Sequence, residues 1–309
     1  MTNIQDLRDY PKSGLFYGGR AGQKEGIIIN GEPWITKYPR TTRDLKGRHL
    51  PSYTSSPVSE FIGSHIYASL GIPAQTTTLG YRNGKIVCAC KDFTHPNKRL
   101  FEFNEIKNAL SDDDEGFSSA PSDGESIYLN DVLATIETSD LLSNIPGVKE
   151  RFWDMFVVDA FLKNPDRNNG NWGVVMTPSM QYELAPVYDL GSSLFSKRSA
   201  SVAKERLEDA SDIEQDAFGT NISCYKLALP EGGSESIHPF SYMRSTVNPD
   251  LSSAIERFAS AVDLKTIDDI IDSVPAEAFG VVLMTDAVRR SHKELLRYRF
   301  ENGIAPLIG

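Results

Sequence analysis

Residues 164–173 read "NPDRNNGNWG", and the chain continues "VVMTPSMQYELAPVYDLGSS" through residue 193. Taken alone, the first stretch is a polar turn whose Asn and Asp side chains can bond their own backbone. Its surroundings change that reading. Pro165 disfavours helical geometry in the residue before it, so the apolar run "GVKERFWDMFVVDAFLKN" (147–164) must end its helix at Asn164. Asp166 then stands just past a rigid helix end. Beyond it, "WGVVM" (172–176), a Thr177-Pro178-Ser179 turn and "QYELA" (181–185) read as a hairpin with nearly equal arms. Such a hairpin returns the chain to its start and sets Asp189 beside Asp166 and Asn171. Two carboxylates and a carboxamide at one end of a hairpin are hard oxygen ligands of the kind Mg²⁺ takes.

Working back towards the N-terminus, the first 93 residues read as a five-stranded antiparallel sheet with one helix. "GLFY" (14–17) and "GIII" (26–29) flank the loop "YGGRAGQK" (17–24), with glycines at Gly18, Gly19 and Gly22. Glycines there let backbone N–H groups approach phosphates. Asn30-Gly31 and Asn83-Gly84 are two-residue hairpin signals. They pair "GIII" with "WITKY" (34–38) and "TTTLGYR" (76–82) with "KIVCAC" (85–90). Lys37 alternates in step with Ile35, so its stem points to one face of the sheet. Between the hairpins Ser56 is the expected N-cap and Pro57 the first helical residue, with Gly71 and Pro73 as the stop. Val58, Phe61, Ile62, Ile66 and Leu70 form that helix's buried stripe, and Glu60 lies off it, placed to pair with Lys37. The remainder, 94–309, reads as mainly helical apart from the 172–185 hairpin. Its Asp/Ser-rich stretch 111–126 is expected to be a solvated loop, because the spacing of a calcium loop is absent. The fold class is therefore α+β: a small sheet-rich lobe (1–93) ahead of a large helical one (94–309).

Composition narrows the functions. The 309 residues are 40% hydrophobic and 24% charged, with a net charge of −10. That charge speaks against nucleic-acid binding through a basic stripe. No apolar run reaches the length of a membrane span and no secretory signal is visible, which implies a soluble, cytoplasmic protein without integral membrane association. Cys88, Cys90 and Cys224 match no zinc pattern and are expected to stay reduced.

Glycine-rich loop, strand lysine, helix glutamate, D-x-x-x-x-N and D-x-G occur here in the order of the protein-kinase parts. "NPD" replaces the usual His-Arg-Asp, and no A-P-E follows "DLGSS". In these departures the chain resembles the HipA-like serine/threonine kinase family, especially its compact, cell-translocating form. The likeness runs through "GGRAGQKEGIIINGEPWITKYP", "SYTSSPVSEFIGSHIYASLGI", "IVCACKDF", "FWDMFVVDAFLKNPDRNNGNWG" and "YELAPVYDLGSSL". It implies a two-lobed kinase fold and phosphorylation of protein Ser/Thr using ATP and Mg²⁺. By position, Asp166 would be the catalytic base, Asn171 and Asp189 the Mg²⁺ ligands, Lys37 the phosphate contact and Glu60 the residue orienting Lys37. Gly18, Gly19 and Gly22 would cover the phosphates. "CACKDF" would be the hinge, offering backbone groups around Cys90 and Asp92 to adenine. Arg167 is expected on a phosphate, beside the acidic cluster or at the surface. HipA toxins autophosphorylate a serine in the glycine-rich loop, where residues 17–25 hold no Ser or Thr. The expected partners are a protein substrate and a small antitoxin-like regulator, and the expected state is a monomer. Two other readings stand beside this one: a phosphatidylinositol-type lipid kinase, from the similarity of the "DRNNGN" loop, and a nucleotide-binding pseudokinase.

Overall fold

The two hairpins expected at Asn30-Gly31 and Asn83-Gly84 dominate the N-terminal sheet, and all four turn residues have the positive φ that a tight hairpin turn demands (51°, 81°, 50° and 75°). The structure is a computed structural model describing residues 2–15, 17, 23–45, 50–111 and 127–308. Gly18, Gly19 and Gly22, and the acidic stretch from residue 112 to 126, lie outside the described residues.

In chain order the elements begin with β1 (Gln5–Asp6), β2 (Lys24–Ile29), β3 (Glu32–Lys37), α1 (Ser56–Ser69), β4 (Thr77–Arg82) and β5 (Lys85–Lys91). They continue with β6 (Arg99–Glu102), α2 (Phe103–Ser111), β7 (Ile127–Tyr128), α3 (Leu129–Thr138), α4 (Asp140–Ser143) and α5 (Val148–Leu162). Next come β8 (Gly173–Met176), β9 (Tyr182–Leu184), α6 (Ala200–Glu205), α7 (Ala210–Glu214), β10 (Tyr225–Ala228) and β11 (Ser234–Ser236). The last are α8 (Pro239–Ser245), α9 (Pro249–Ala261), α10 (Leu264–Ser273), β12 (Glu277–Ala278), β13 (Val281–Val282) and α11 (Asp286–Arg299).

The N-terminal sheet has the order β1-β4-β5-β3-β2. Its four hairpin strands are antiparallel, with β3 and β5 joining the hairpins through Trp34 opposite Lys91. The fifth strand differs from the expectation in place and sense. Gly14, Leu15 and Tyr17 pair with nothing as a strand, and the edge is filled by β1, which runs parallel to β4 with Gln5 opposite Gly80. The sheet is therefore mixed. The reason is steric: a Cβ at Gly80 would come within 2.3 Å of Leu7 Cδ1, so a glycine there admits the N-terminal segment and buries Leu7 completely. Residues 12 and 13 meet the opposite edge through a Lys12–Ile27 bridge, a Ser13 N–H donated to the Gly26 carbonyl and a Lys12–Glu25 ion pair at 2.7 Å.

Helix α1 starts at Ser56 with Pro57 in its first turn. Ser55 holds the cap position without a side-chain cap bond, and the Ser56 hydroxyl meets Thr54 Oγ1 at 2.9 Å. The stripe Val58, Phe61, Ile62 and Ile66 is buried as its spacing implies. Helix α5 ends at Leu162, and Lys163 follows in the left-handed region (φ 52°). Phe152, Trp153, Phe156, Val157, Ala160 and Phe161 of α5 are all buried, so the helix is core on nearly every side. One apolar cluster runs from α1 and β5 through α5 to α9 and α10, while Leu7, Ile27, Ile29, Tyr38, Val87 and Ala89 form a second on the other face of the sheet. The hairpin read at 172–185 is β8 and β9, with Val174 opposite Leu184 and β6 along its free side.

Candidate active site

Lys37, at the end of β3, reaches between two carboxylates. Its Nζ lies 2.8 Å from Glu60 Oε1 on α1 and 3.0 Å from Asp189 Oδ1 after β9. Burial opposes the ammonium charge, but Asp189 and Glu60 outweigh it and hold Lys37 above its ordinary value. The same ammonium is the main cause holding the Asp189 carboxyl below the usual range, against its own burial. Asp189 sits at φ 59°, a left-handed conformation that Asp tolerates better than most residues. The Glu60 carboxyl is buried, and its Oε2 has no hydrogen-bond partner among the described residues. α1 comes this close because residue 63 is glycine: a Cβ there would lie 2.9 Å from Leu190 Cβ. The helix carrying Glu60 thus packs directly on the residue after Asp189.

Asp166 stands in the turn after α5, at the mouth of a groove of about 570 Å³. Its Oδ1 accepts a bond from Asn168 Nδ2 (3.0 Å) and its Oδ2 one from Ser192 Oγ (3.3 Å). Burial and the neighbouring Asp189 charge push its carboxyl above the ordinary value. Asn171 Nδ2 donates to the Asp166 carbonyl at 2.6 Å, which leaves Oδ1 as the acceptor end of that amide. Asn171 Oδ1 and the Asp189 carboxylate are hard oxygen donors, a set that fits Mg²⁺ shared with phosphates. No group of three or more acidic, His or Cys side chains is arranged to hold a metal ion among the described residues. A wholly protein-made metal cage is therefore not what this site offers.

Asn164 explains the odd "NPD". Its Nδ2 donates to Asp159 Oδ1 at 3.0 Å and its Oδ1 accepts the Asp166 N–H at 3.3 Å, so it ties the turn to α5. The surface alternative for Arg167 does not hold. It is 2% exposed and turns inward onto Asp159. Its Nε donates to Asp159 Oδ2 (2.8 Å), and its Nη1 donates to the carbonyls of Asn171 and Tyr188 (2.7 Å for the latter). Burial opposes its charge, but Asp159 outweighs that and keeps it ionised. One guanidinium thus joins α5, the end of the Asp166–Asn171 turn and the segment entering Asp189. Sequence spacing could not show this, since the direction of an arginine is set by whatever buries it.

Cys90 lies in the central strand, opposite Ile35 on one side and Thr77 on the other. The Asp92 N–H donates to the Pro33 carbonyl at 3.0 Å, and its Oδ2 accepts the Tyr17 hydroxyl at 2.9 Å. The backbone amide of Asp92 is thus committed within the sheet. All three cysteines are free thiols. Two residues near the site escaped the sequence reading: Ser192, on Asp166, and Glu102. A Cβ on Gly170 would lie 3.3 Å from Glu102 Oε2, and burial with Glu105 pushes the Glu102 carboxyl up.

No family model matches the chain. The serine/threonine-protein kinase CtkA of Helicobacter pylori strain J99 is 33% identical over 267 residues, 86% of this chain and 77% of that one. The crystal structure of a proinflammatory kinase CtkA from Helicobacter pylori superposes with a TM-score of 0.85 at 27% identity, over 99% of this chain and 96% of the other. HipA, in the Shewanella oneidensis toxin–antitoxin complex with HipB and operator DNA, matches at a TM-score of 0.52 and 15% identity. It covers 96% of this chain and 69% of that one, a likeness of fold alone. An α+β fold shared almost end to end with one such kinase, and a third of the residues identical over most of both sequences, mean that the chain belongs to the family of the serine/threonine-protein kinase CtkA.

Proposed function

We propose that the chain transfers the γ-phosphoryl group of ATP, with Mg²⁺, to a Ser or Thr hydroxyl of a protein substrate. The observation carrying this reading is Lys37 held between Glu60 and Asp189, with Asp166 and Asn171 in the adjoining turn. Asp166, its carboxyl raised by burial, accepts the proton of the acceptor hydroxyl. Glu60 holds Lys37 on the phosphates. Asn171 and Asp189 would hold Mg²⁺, which when bound supplies screening for the charge of the transferring group. Catalysis on this reading is mainly positioning and electrostatics. Residues 1–93 act as one lobe and 94–309 as the other, with Gly18, Gly19 and Gly22 over the phosphates and the Cys90–Asp92 strand end against adenine.

The protein works as a cytoplasmic monomer in this reading. No described helix is long and apolar enough to cross a membrane. A small antitoxin-like regulator belongs to the same proposal, by analogy with the HipB bound in the HipA complex. Radiolabelled ATP in cell lysate tests the assignment. Wild type should label a protein on Ser or Thr, and Asp166→Asn should not, while still binding nucleotide. Full labelling by Asp166→Asn would remove Asp166 from the mechanism.

A further inference from the structure

The groove that opens at Asp166 is walled by cations, although the chain as a whole carries a net charge of −10. Lys163, Lys197, Arg198 and Arg40 line it, and Asp166 is the sole carboxylate among its described lining residues. The cations are gathered by one ring. Arg198 Cζ lies 3.7 Å from the Phe195 centroid, Lys163 Nζ 4.4 Å and Arg299 Cζ 5.6 Å. Attraction of cations to a ring face accounts for the clustering. The backbone bears a cost for it: Lys163, Leu194 and Phe195 all lie in the left-handed region (φ 52°, 55° and 54°).

Among the described residues, Asp216 is the carboxylate that pairs with this cluster. Asp216 pairs with Arg198 (2.8 Å) and also with Arg206 (2.9 Å). Arg299, fully buried, is held by the carbonyls of Phe161, Asp216 and Ala217. Lys163 Nζ donates to the Thr220 carbonyl and has no carboxylate partner among the described residues. Burial, with repulsion from Arg299 and Arg198, pushes its ammonium down to about 8. Lys197 is exposed and makes no ion pair among the described residues. An anion entering beside Asp166 would relieve this repulsion, whereas a basic segment would add to it.

We propose that the groove selects acceptor hydroxyls carried on acidic protein segments, with Asp or Glu side chains next to the Ser or Thr lying against Lys163, Lys197 and Arg198. The inference rests on the phosphotransfer reading above and names its substrate class. The test uses the full-length chain, ATP and Mg²⁺ with a positional-scanning peptide library built around a central Ser, and phosphatidylinositol vesicles in parallel. Peptides with Glu beside the Ser should show kcat/KM roughly tenfold above those with Gln and more above those with Lys, the margin shrinking in high salt. Lys163→Gly keeps the left-handed turn, which glycine adopts freely. Combined with Lys197→Glu, it should cut the Glu-over-Gln ratio to about threefold or less without lowering Tm. Equal rates on Glu and Gln peptides, an unchanged ratio in the double variant, or labelling of the vesicles in preference to peptides would each overturn the proposal. No incorporation into any peptide while lysate protein is still labelled would overturn this inference alone, and no labelling of either would refute the phosphotransfer reading as well.

Discussion

Replacing Arg167 by Met should loosen the site from its foundation. The substitution keeps most of the side-chain volume and removes the guanidinium that pairs with Asp159 and donates to the carbonyls of Asn171 and Tyr188. Asp159 is 5% exposed, so it would be left as a buried carboxylate without its counter-charge, still accepting a bond from the Asn164 amide. Removing one partner of a buried ion pair costs about 3–5 kcal/mol. Each stranded carbonyl adds up to about 1 kcal/mol where water cannot reach it. In a chain of this size that corresponds to a fall in Tm of roughly 10 °C. Urea unfolding and thermal melts would measure it. Adding Asp159→Leu removes the orphaned charge and should recover about 2 kcal/mol or more, a non-additivity that a double-variant cycle isolates. Activity should fall further than stability explains. Well below the melting range, kcat/KM should drop on the order of a hundredfold, because Asn171 and the entry to Asp189 lose their common anchor. An Arg167→Met protein within about 1 kcal/mol of wild type, or a double variant as unstable as the sum of the singles, would refute the anchoring argument.

Other consequences can be checked alongside. Asp166→Asn should lose at least about a thousandfold in phosphotransfer while Tm changes by no more than a few degrees, since its side chain is held only by Asn168 and Ser192. Gly63→Ala puts a Cβ against Leu190 Cβ, and should cost about 1–3 kcal/mol while separating Glu60 from Lys37. Its kcat should fall more steeply than its Tm, and a variant with normal kcat would count against the close helix packing. His292 is buried and faces Arg198, Arg299 and Arg289, and burial first and then those charges push it down to about 3. It stays neutral in the folded chain while the unfolded chain binds a proton below its ordinary value, so stability is full above about pH 6.5 and declines as pH falls towards 3. The loss is about 1.4 kcal/mol per pH unit in that window. Chemical denaturation at pH 7 and 5 should show that slope in wild type and not in His292→Leu.

Much of the candidate site was legible because its parts are local or joined by a symmetric turn. Asp166 follows a proline-terminated helix, and the β8–β9 hairpin has arms of matched length, so Asp189 had to return near Asn171. Lys37 and Glu60 were readable from alternation along β3 and the off-stripe position on α1. The hairpins β2–β3 and β4–β5 were likewise announced by Asn-Gly pairs whose φ values the turn requires. Composition and spacing thus determined the order of β2, β3, α1, β4 and β5, the Asp-Asn-Asp constellation and the lysine–glutamate pair.

Three features came from tertiary structure alone. The edge strand β1 pairs with Gly80 far along the chain, admitted by the absence of a side chain rather than by any pattern in its own two residues. Arg167 reads as a phosphate contact, a neighbour of the acidic cluster or a surface cation, yet Asp159 one helical stretch earlier supplies the charge that lets it be buried. The cations around Phe195 come from the end of α5, the segment after "DLGSS" and the last turn of α11, three stretches with no common motif. In each case a long-range neighbour decides the outcome: a strand needs a partner edge, and a buried charge needs a counter-charge or a ring. Local sequence encodes the element, and the energy of desolvation across the whole fold decides where its polar side chains point.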